Sequence, residues 1–382
     1  MSDLERLSGP DSRLGLGWIP IVSAVVLAIA LALTWPRGDI VPELDELGLA
    51  NDMHRAEVTH VVDAPCSFND QDRCRTVAFR LHEGPRPDSD FVQEFTLTAS
   101  TPELAVGDHV VLAHIDGGEP GFDYQYADRD RRGVLIGVFL AFALAVGALG
   151  RLRGLAALAG LVLSVVIVVG YIVPAIAGGS NAVLIALIGS GAVALLALYL
   201  AHGFRPLTHV AFAGTMLALL ATFGLAAAVL ALARFSGFSS EESLYLAIAG
   251  NVDIRGLLLA GVVLGALGAL DDVTVTQASA VWELRRAQPQ MDVADLALAG
   301  LRIGRDHIAS TVNTLLLAYA GASMPLLLLF SLSGLSLGDV ANSEVVAVEI
   351  VRTLVGSIGL VLAVPLTTYL AAAIATRSES GR

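Results

Sequence analysis

Apolar runs of membrane-spanning length recur along this chain, divided by short polar breaks, and one long polar stretch shows strand-like alternation instead. The first run, "WIPIVSAVVLAIALALTW", is bracketed by Trp18 and Trp35. Others cover about 133–149, 155–176, 181–201, 209–233, 256–282, 308–331 and 346–372. A helix of ~20 apolar residues spans the hydrocarbon core, and tryptophan collects at its edges. The pattern therefore predicts an α-helical polytopic membrane protein with about eight transmembrane helices. Because apolar sequence continues past the small residues of "ALALTW", the first run is read as a retained anchor rather than a cleaved signal peptide.

Between the first two runs the period changes to two. "AEVTHVV", "RTVAFRLHE", "FVQEFTLTAS" and "DHVVLAHI" alternate, with Gly, Pro and Asp between them, as strands and turns do. "ELAVGDHVVL" reads as a strand, a turn and a strand. A small β-rich, OB-like extracytoplasmic domain between helices 1 and 2 is expected. The resulting division is a cytoplasmic N-terminus at 1–17, an anchor at 18–36, an acidic β-domain at 37–131, a seven-helix membrane domain at 132–375 and a cytoplasmic tail at 376–382.

Charge sharpens this division. Residues 37–130 hold 20 Asp/Glu against 7 Arg, which is the whole net charge of −13. So acidic a segment between apolar runs belongs in water. Counting arginines near helix ends gives eleven on one side (Arg6, Arg13, Arg151, Arg153, Arg205, Arg285, Arg286, Arg302, Arg305, Arg377, Arg382) and six on the other (Arg37, Arg129, Arg131, Arg132, Arg234, Arg255). The positive-inside rule then places both termini in the cytoplasm and the acidic domain outside, although the "RDRRG" cluster pulls the other way. Cys66 and Cys74, the two cysteines of the chain, fall in that outer domain and are expected to form a disulfide.

Composition also excludes some chemistry. All 23 basic residues are arginine, so no Walker A lysine and no lysine Schiff base is possible. Neither an HExxH zinc signature nor a GxSxG nucleophile pattern is read in the chain, and no catalytic constellation stands out. The histidines His54, His60, His82, His109 and His114 of the outer domain fit no zinc spacing, so no metal and no cofactor is expected. "SSEESLYLAIAG" begins with a capping box from Ser239 to Glu242, and reads as a short outer helix.

Polar residues inside the apolar runs carry the functional expectation. In "GALGALDDVTVTQASAVWEL", Gly261, Gly265, Gly268, Asp272, Thr276, Ser279 and Glu283 fall within about 80° of one another on a helix. Glycine on one face permits close approach of a neighbour, so this face is expected to point inward. Asp272 should then be buried near Asn313, with Asp271 a quarter turn away. Arg255 lies 17 residues before Asp272, roughly 25 Å along a helix, and an intramembrane carboxylate is a functional candidate by default. On the next run Arg302, Asp306, Ala309, Ser310, Asn313 and Ala320 share a face, with Arg302 and Asp306 spaced for an interfacial ion pair. On the last run Glu349, Arg352, Thr353, Gly356, Ala363 and Thr367 share a face, and Glu349 and Arg352 are spaced i, i+3 to pair. Ordinary helix–helix glue would give the same arrangement.

Three blocks, "GALGALDDVTVTQASAVWEL", "GRDHIASTVNTLLLAYAG" and "VGSIGLVLAVPLTT", resemble the YibE/F family of multipass bacterial membrane proteins, over about residues 130–375. The resemblance implies the membrane fold and a permease with no named substrate. It also implies that the acidic position is that of Asp272 and that the position of Asp271 is usually apolar.

A transporter of the bacterial cytoplasmic membrane is accordingly expected. Asp272 would be its proton or cation site, supported by Thr276 and Asn313, with Glu349 and Arg352 as an outer gate or structural pair. The rival is a non-transporting scaffold that presents the outer domain to envelope partners. An enzyme is not expected. The expected partners are the lipid bilayer and either an envelope protein or a second copy of the chain, with no nucleic acid and no nucleotide.

Overall fold

The structure, a computed structural model, describes residues 18–36, 52–69, 71–115, 123–248 and 252–377. The readings made for residues 1–17, Arg37, residues 378–381 and Arg382 lie outside them. The chain divides into two units, Val41–Ala145 and the remainder.

The first unit is built on five strands: β1 (Met53–Pro65), β2 (Arg73–Leu81), β3 (Asp90–Thr96), β4 (His109–His114) and β5 (Tyr124–Arg129). All pair antiparallel in the order β3-β2-β1-β4-β5. The period-two alternation is visible in burial. Ala56, Val58, Val77, Phe79, Leu81, Val110 and Leu112 enter the core, and the residues between them face out. The sheet curls enough for its outer strands to meet: Tyr126 N–H donates to Gln93 Oε1 at 2.7 Å, and the Phe95 and Tyr126 rings meet edge to face. The stretch before Gly107, expected as a strand, is a loop that turns at Gly107, whose φ of 91° suits glycine. β5 was not among the expected strands.

Cys66 and Cys74 are joined by a disulfide and both are buried. Three arginines each grip a carboxylate through two hydrogen bonds: Arg55 on Glu83, Arg75 on Asp63 and Arg80 on Asp90. The Arg55 hydrogen bonds pull the Glu83 carboxyl down to about 2, and Asp63 and Asp90 are lowered by their arginines in the same way.

The second unit is helical. α1 (Trp18–Thr34) precedes the strands; after them come α2 (Arg132–Ile167), whose residues 132–145 belong to the first unit, a π turn (Val168–Ile172), α3 (Val173–Ala177), α4 (Ala182–His202) and α5 (Pro206–Leu232). α6 (Glu241–Ile248), α7 (Ile254–Ala287), α8 (Val293–Ala322), α9 (Met324–Leu332), α10 (Leu337–Asn342) and α11 (Glu344–Arg377) complete it. Five helical stretches are long and apolar enough to cross a membrane, or six if the bent pair α8–α9 counts as one span. The expected eight are not reached on that measure, for three reasons. The first run gives a helix of only 17 residues. The second and third runs join in one stretch of 46 residues, Arg132–Ala177. The seventh starts earlier than expected, at Val293, and bends by 64° at Ser323, just before Pro325.

The 46-residue stretch does not run straight. Arg151 leaves helical geometry at φ 53°, ψ −134°. Leu155 comes back beside Gly147, and a Cβ on Gly154 would strike the Val146 carbonyl oxygen. The chain thus turns back on itself at Arg151.

α5, α7 and α11 pack mutually and form the centre of the unit, with α4 and α8 on their flanks. Glycine decides how closely they meet. A Cβ at Gly214 of α5 would collide with Thr367 Oγ1 of α11, and one at Gly359 of α11 with Thr222 Oγ1 of α5. α1 reaches α4 through Leu27 against Gly191, and Thr34 shares a 2.6 Å hydrogen bond with the Tyr171 hydroxyl.

Two outcomes are expected for the strand unit. Replacing both cysteines with alanine removes a short closed loop and should lower stability by about 2–3 kcal/mol in chemical denaturation. Because Glu83, Asp63 and Asp90 are held low, their contribution is present above the ordinary carboxyl value and lost as pH falls below it. The melting temperature should therefore hold steady down to the 4.5 usual for glutamate and fall towards about 2, where Glu83 titrates. Calorimetry across that range checks the sign.

Candidate functional site

α7 runs unbroken through Asp271 and Asp272, so neither aspartate marks a helix end. Its two sides differ sharply. Leu270, Val273, Thr274, Gln277, Ala278 and Val281 are buried against the other helices. Gly265, Gly268, Asp272, Thr276 and Glu283 are exposed.

This reverses the expectation for the two aspartates. Asp272 is exposed, whereas Asp271 is half-buried and its Oδ1 is fully enclosed with no hydrogen-bond partner among the described residues. Asn313 is exposed as well. α8 turns Gly300, Gly304, Leu315 and Tyr319 towards α7 and α11, and Asn313 lies 200° from Leu315 at 100° per residue. It therefore cannot support Asp272 from that helix. Arg302 and Asp306 are both exposed, and no ion pair joins them among the described residues.

The glycines of the exposed face make room for side chains rather than for a helix backbone. A Cβ at Gly265 would lie 2.6 Å from the Tyr319 hydroxyl, and one at Gly261 would lie 3.6 Å from Arg352 Nη2. At Gly268 nothing lies within 4 Å. The face is thus filled near Gly261 and open from Gly268 to Thr276.

At the filled end Arg352 Nη1 donates to Glu349 Oε1 at 2.7 Å, both side chains being about a quarter exposed. Arg352 Nε is enclosed without a partner. The pair borders a cavity of about 530 Å³ whose wall includes Ser239, Ser240, Glu242, Ile254, Ser323 and Val348. A smaller, largely apolar cavity of about 210 Å³ lies against Glu349, Tyr319 and Ser323. Ser323, where the chain bends, borders both. The wall at Gly237 is fixed by Glu344, which accepts from Gly237 N–H at 2.6 Å and from Ser236 Oγ at 2.9 Å. The helix beside it is capped by Ser240, which accepts from Ser243 N–H, and not by the expected Ser239.

The buried side of α7 carries a polar network that the glycine stripe did not point to. Gln277 Nε2 donates to the Gly300 carbonyl at 2.8 Å and to Thr368 Oγ1 at 2.7 Å, joining α7, α8 and α11. Thr274 and Thr215 share a 2.6 Å hydrogen bond between α7 and α5. Tyr199 and His209 meet at 2.9 Å between α4 and α5. The available signal was a long amide in an otherwise apolar stretch, overlooked because Gln277 lies off the stripe.

The family model described as YibE/F-like protein matches residues 138–377. The chain belongs to that family. No curated protein and no solved structure matches it. The YibE/F-like region contains all the helices that build the cavity, the open face and the Gln277 network.

"GLSLG" at 334–338 has the spacing of a nucleophile elbow, a correction to the absence of catalytic patterns read from the sequence. Such an elbow needs a strand before the serine and a helix after it. Here α9 precedes, and Ser336 caps α10, bonding Asp339 through both its hydroxyl and the Asp339 N–H. The motif is a helix cap.

Gln277→Leu should lose about 1–2 kcal/mol, since it removes the two hydrogen bonds that tie α7 to α8 and α11. Thr276→Val, exposed one residue earlier, should change stability by less than about 0.5 kcal/mol. Reversible unfolding in mixed micelles compares them.

Proposed function

We propose that this chain is a permease of the bacterial cytoplasmic membrane whose solute path follows the open face of α7, with an intramembrane carboxylate as its proton or cation site. One observation carries the reading: among the described residues the face is open from Gly268 to Thr276, with an enclosed and unpartnered carboxylate oxygen on Asp271 beside it, and Tyr319 and Arg352 stand between this opening and the Glu349–Arg352 cavity. A charged group left without a partner in an apolar setting is costly, and neither aspartate gains a helix-capping or ion-pairing role that would offset that cost. The site moves from Asp272 alone to the pair, with Asp271 as the enclosed member. Thr276 lies on the open face; Asn313 drops out of the path.

The topology that goes with this function has eight crossings. The turn at Arg151 makes two of the 46-residue stretch, which at 1.5 Å per residue is roughly 70 Å, over twice the hydrocarbon thickness. α1 supplies one, the bent α8–α9 pair another, and α4, α5, α7 and α11 the rest. Both termini would be cytoplasmic and the strand unit extracytoplasmic, with the strand order and the meeting of β3 and β5 favouring an OB-like barrel. The scaffold reading keeps one support. The exposed Arg302, Asp306 and Asn313 face of α8 suits a protein partner or a second copy better than lipid.

Proton uptake into proteoliposomes under an imposed potential, followed with an internal pH dye, tests the permease. Wild type should exceed protein-free vesicles. Asp271→Asn should reduce the flux at least about tenfold with unchanged membrane abundance, and Asp272→Asn should reduce it less. Flux equal to empty vesicles, or equal loss from Thr276→Val and Asp271→Asn, sinks the path.

A further inference from the structure

The strand unit brings together three side chains that the sequence keeps 25 and 27 residues apart: Glu57 on β1, His82 just after β2 and His109 at the start of β4. Their presence on one surface follows from the sheet. β1 lies between β2 and β4, and Glu57 is in register with both His109 and Arg80. Glu57 stands between the buried Ala56 and Val58, His82 follows the buried Leu81, and His109 precedes the buried Val110. Alternation therefore sends all three to the outer face of the sheet. His82 is pinned further by its N–H, which donates to the Arg55 carbonyl at 2.8 Å.

One ligand atom from each lies within 4.8 Å of those from the other two, and His82 Nε2 is already 3.5 Å from Glu57 Oε2. Ligands about 2.0–2.2 Å from a tetrahedral zinc ion are separated by about 3.3–3.5 Å from one another. Small rotations of exposed side chains close the remaining gap, with no movement of the strands.

The surrounding cations are already engaged. Arg80 holds Asp90, Arg55 holds Glu83, Arg129 holds Asp108 and Arg132 holds Asp130.

We propose that Glu57, His82 and His109 form a site for a divalent ion of the zinc class. Two imidazoles and a carboxylate are a donor set that such ions prefer over magnesium or calcium. Three protein ligands leave a fourth position open to water or to an incoming ligand. The three side chains are partly or fully exposed, so an ion can reach them from solvent. This inference is independent of the permease reading, since it uses no residue of the membrane helices. It also replaces the expectation that no metal binds, which rested on ligand spacing along the chain; ligands delivered by three parts of a sheet show no such spacing.

The test uses the full chain in detergent, purified without a polyhistidine tag, with zinc alone as the probe. Competition against a chromophoric zinc chelator should show one equivalent bound with a Kd of about micromolar or tighter. Cobalt should give the visible absorption of a low-symmetry four-coordinate site. His82→Ala, His109→Ala and Glu57→Gln should each weaken zinc at least about tenfold, while His60→Ala, an exposed histidine on β1 outside the cluster, should leave it unchanged. The melting temperature without metal reports whether each variant folds. Absence of zinc binding by the wild-type chain overturns the proposal outright, so a variant that fails to fold does not shield it. Equal binding by wild type and a His82→Ala/His109→Ala double variant overturns it too.

Discussion

In a hydrocarbon solvent two apolar helices gain little by burying leucine against leucine, because lipid tails offer the same contacts. What they can gain is close packing of backbone, and here that depends on glycine set against threonine. Gly214 receives Thr367, Gly359 receives Thr222, and Gly300 lies within 2.9 Å of Thr368 Cγ2, measured from where its Cβ would stand. Thr222 and Thr368 return their hydroxyl protons to carbonyls one turn back, at 2.8 and 2.6 Å. Each then presents a methyl and a satisfied oxygen to the neighbouring helix. These pairs set the approach of α11 to α5 and to α8, the helices against which α7 packs, and everything proposed for α7 presupposes that packing.

That packing fixes which side of α7 is closed. On the closed side the Gln277 amide nitrogen and the Thr274 hydroxyl bond to neighbouring helices, as interhelical polar groups in a bilayer should. On the opposite side Gly268, Asp272 and Thr276 are exposed, with no helix seated on them among the described residues. Asp271 falls at the border, with one oxygen enclosed and unpartnered. A residue with only a packing role would not be expected to carry that cost, whereas a residue that exchanges a proton or a cation needs a vacant coordination point.

Much of the fold was legible because it rests on periodicity. The apolar runs became helices and four alternating segments became strands, since burial selects one face and the face repeats every two or 3.6 residues. The pairing of Glu349 with Arg352 was legible for the same local reason. What could not be read was which face of a helix looks inward. Glycine on a helix signals close approach, but here Gly261 and Gly265 admit Arg352 and Tyr319, long side chains from distant segments, and the stripe they begin stays open below. Asp272 followed that stripe outward while Asp271 turned inward. The bend at Ser323 was similarly hidden. Pro325 announces it, yet apolar sequence continues on both sides.

The bend is what turns an ion pair into part of a cavity. Had α8 continued straight beyond Ala322, its next turns would have stayed on the line set by Gly300, Gly304 and Tyr319. Instead α9 leaves at 64°, and space opens on both sides of Glu349. The pair is neutral overall and contributes a dipole, so the net charge at this end of the α7 face comes from Glu242 in the cavity wall. The aspartates at the other end carry the only formal charge between Gly256 and Ala280 of α7. On the proposed path, selection by charge would rest on the aspartates and on Glu242 of the cavity wall, and selection by size and hydrogen bonding on the cavity at the bend.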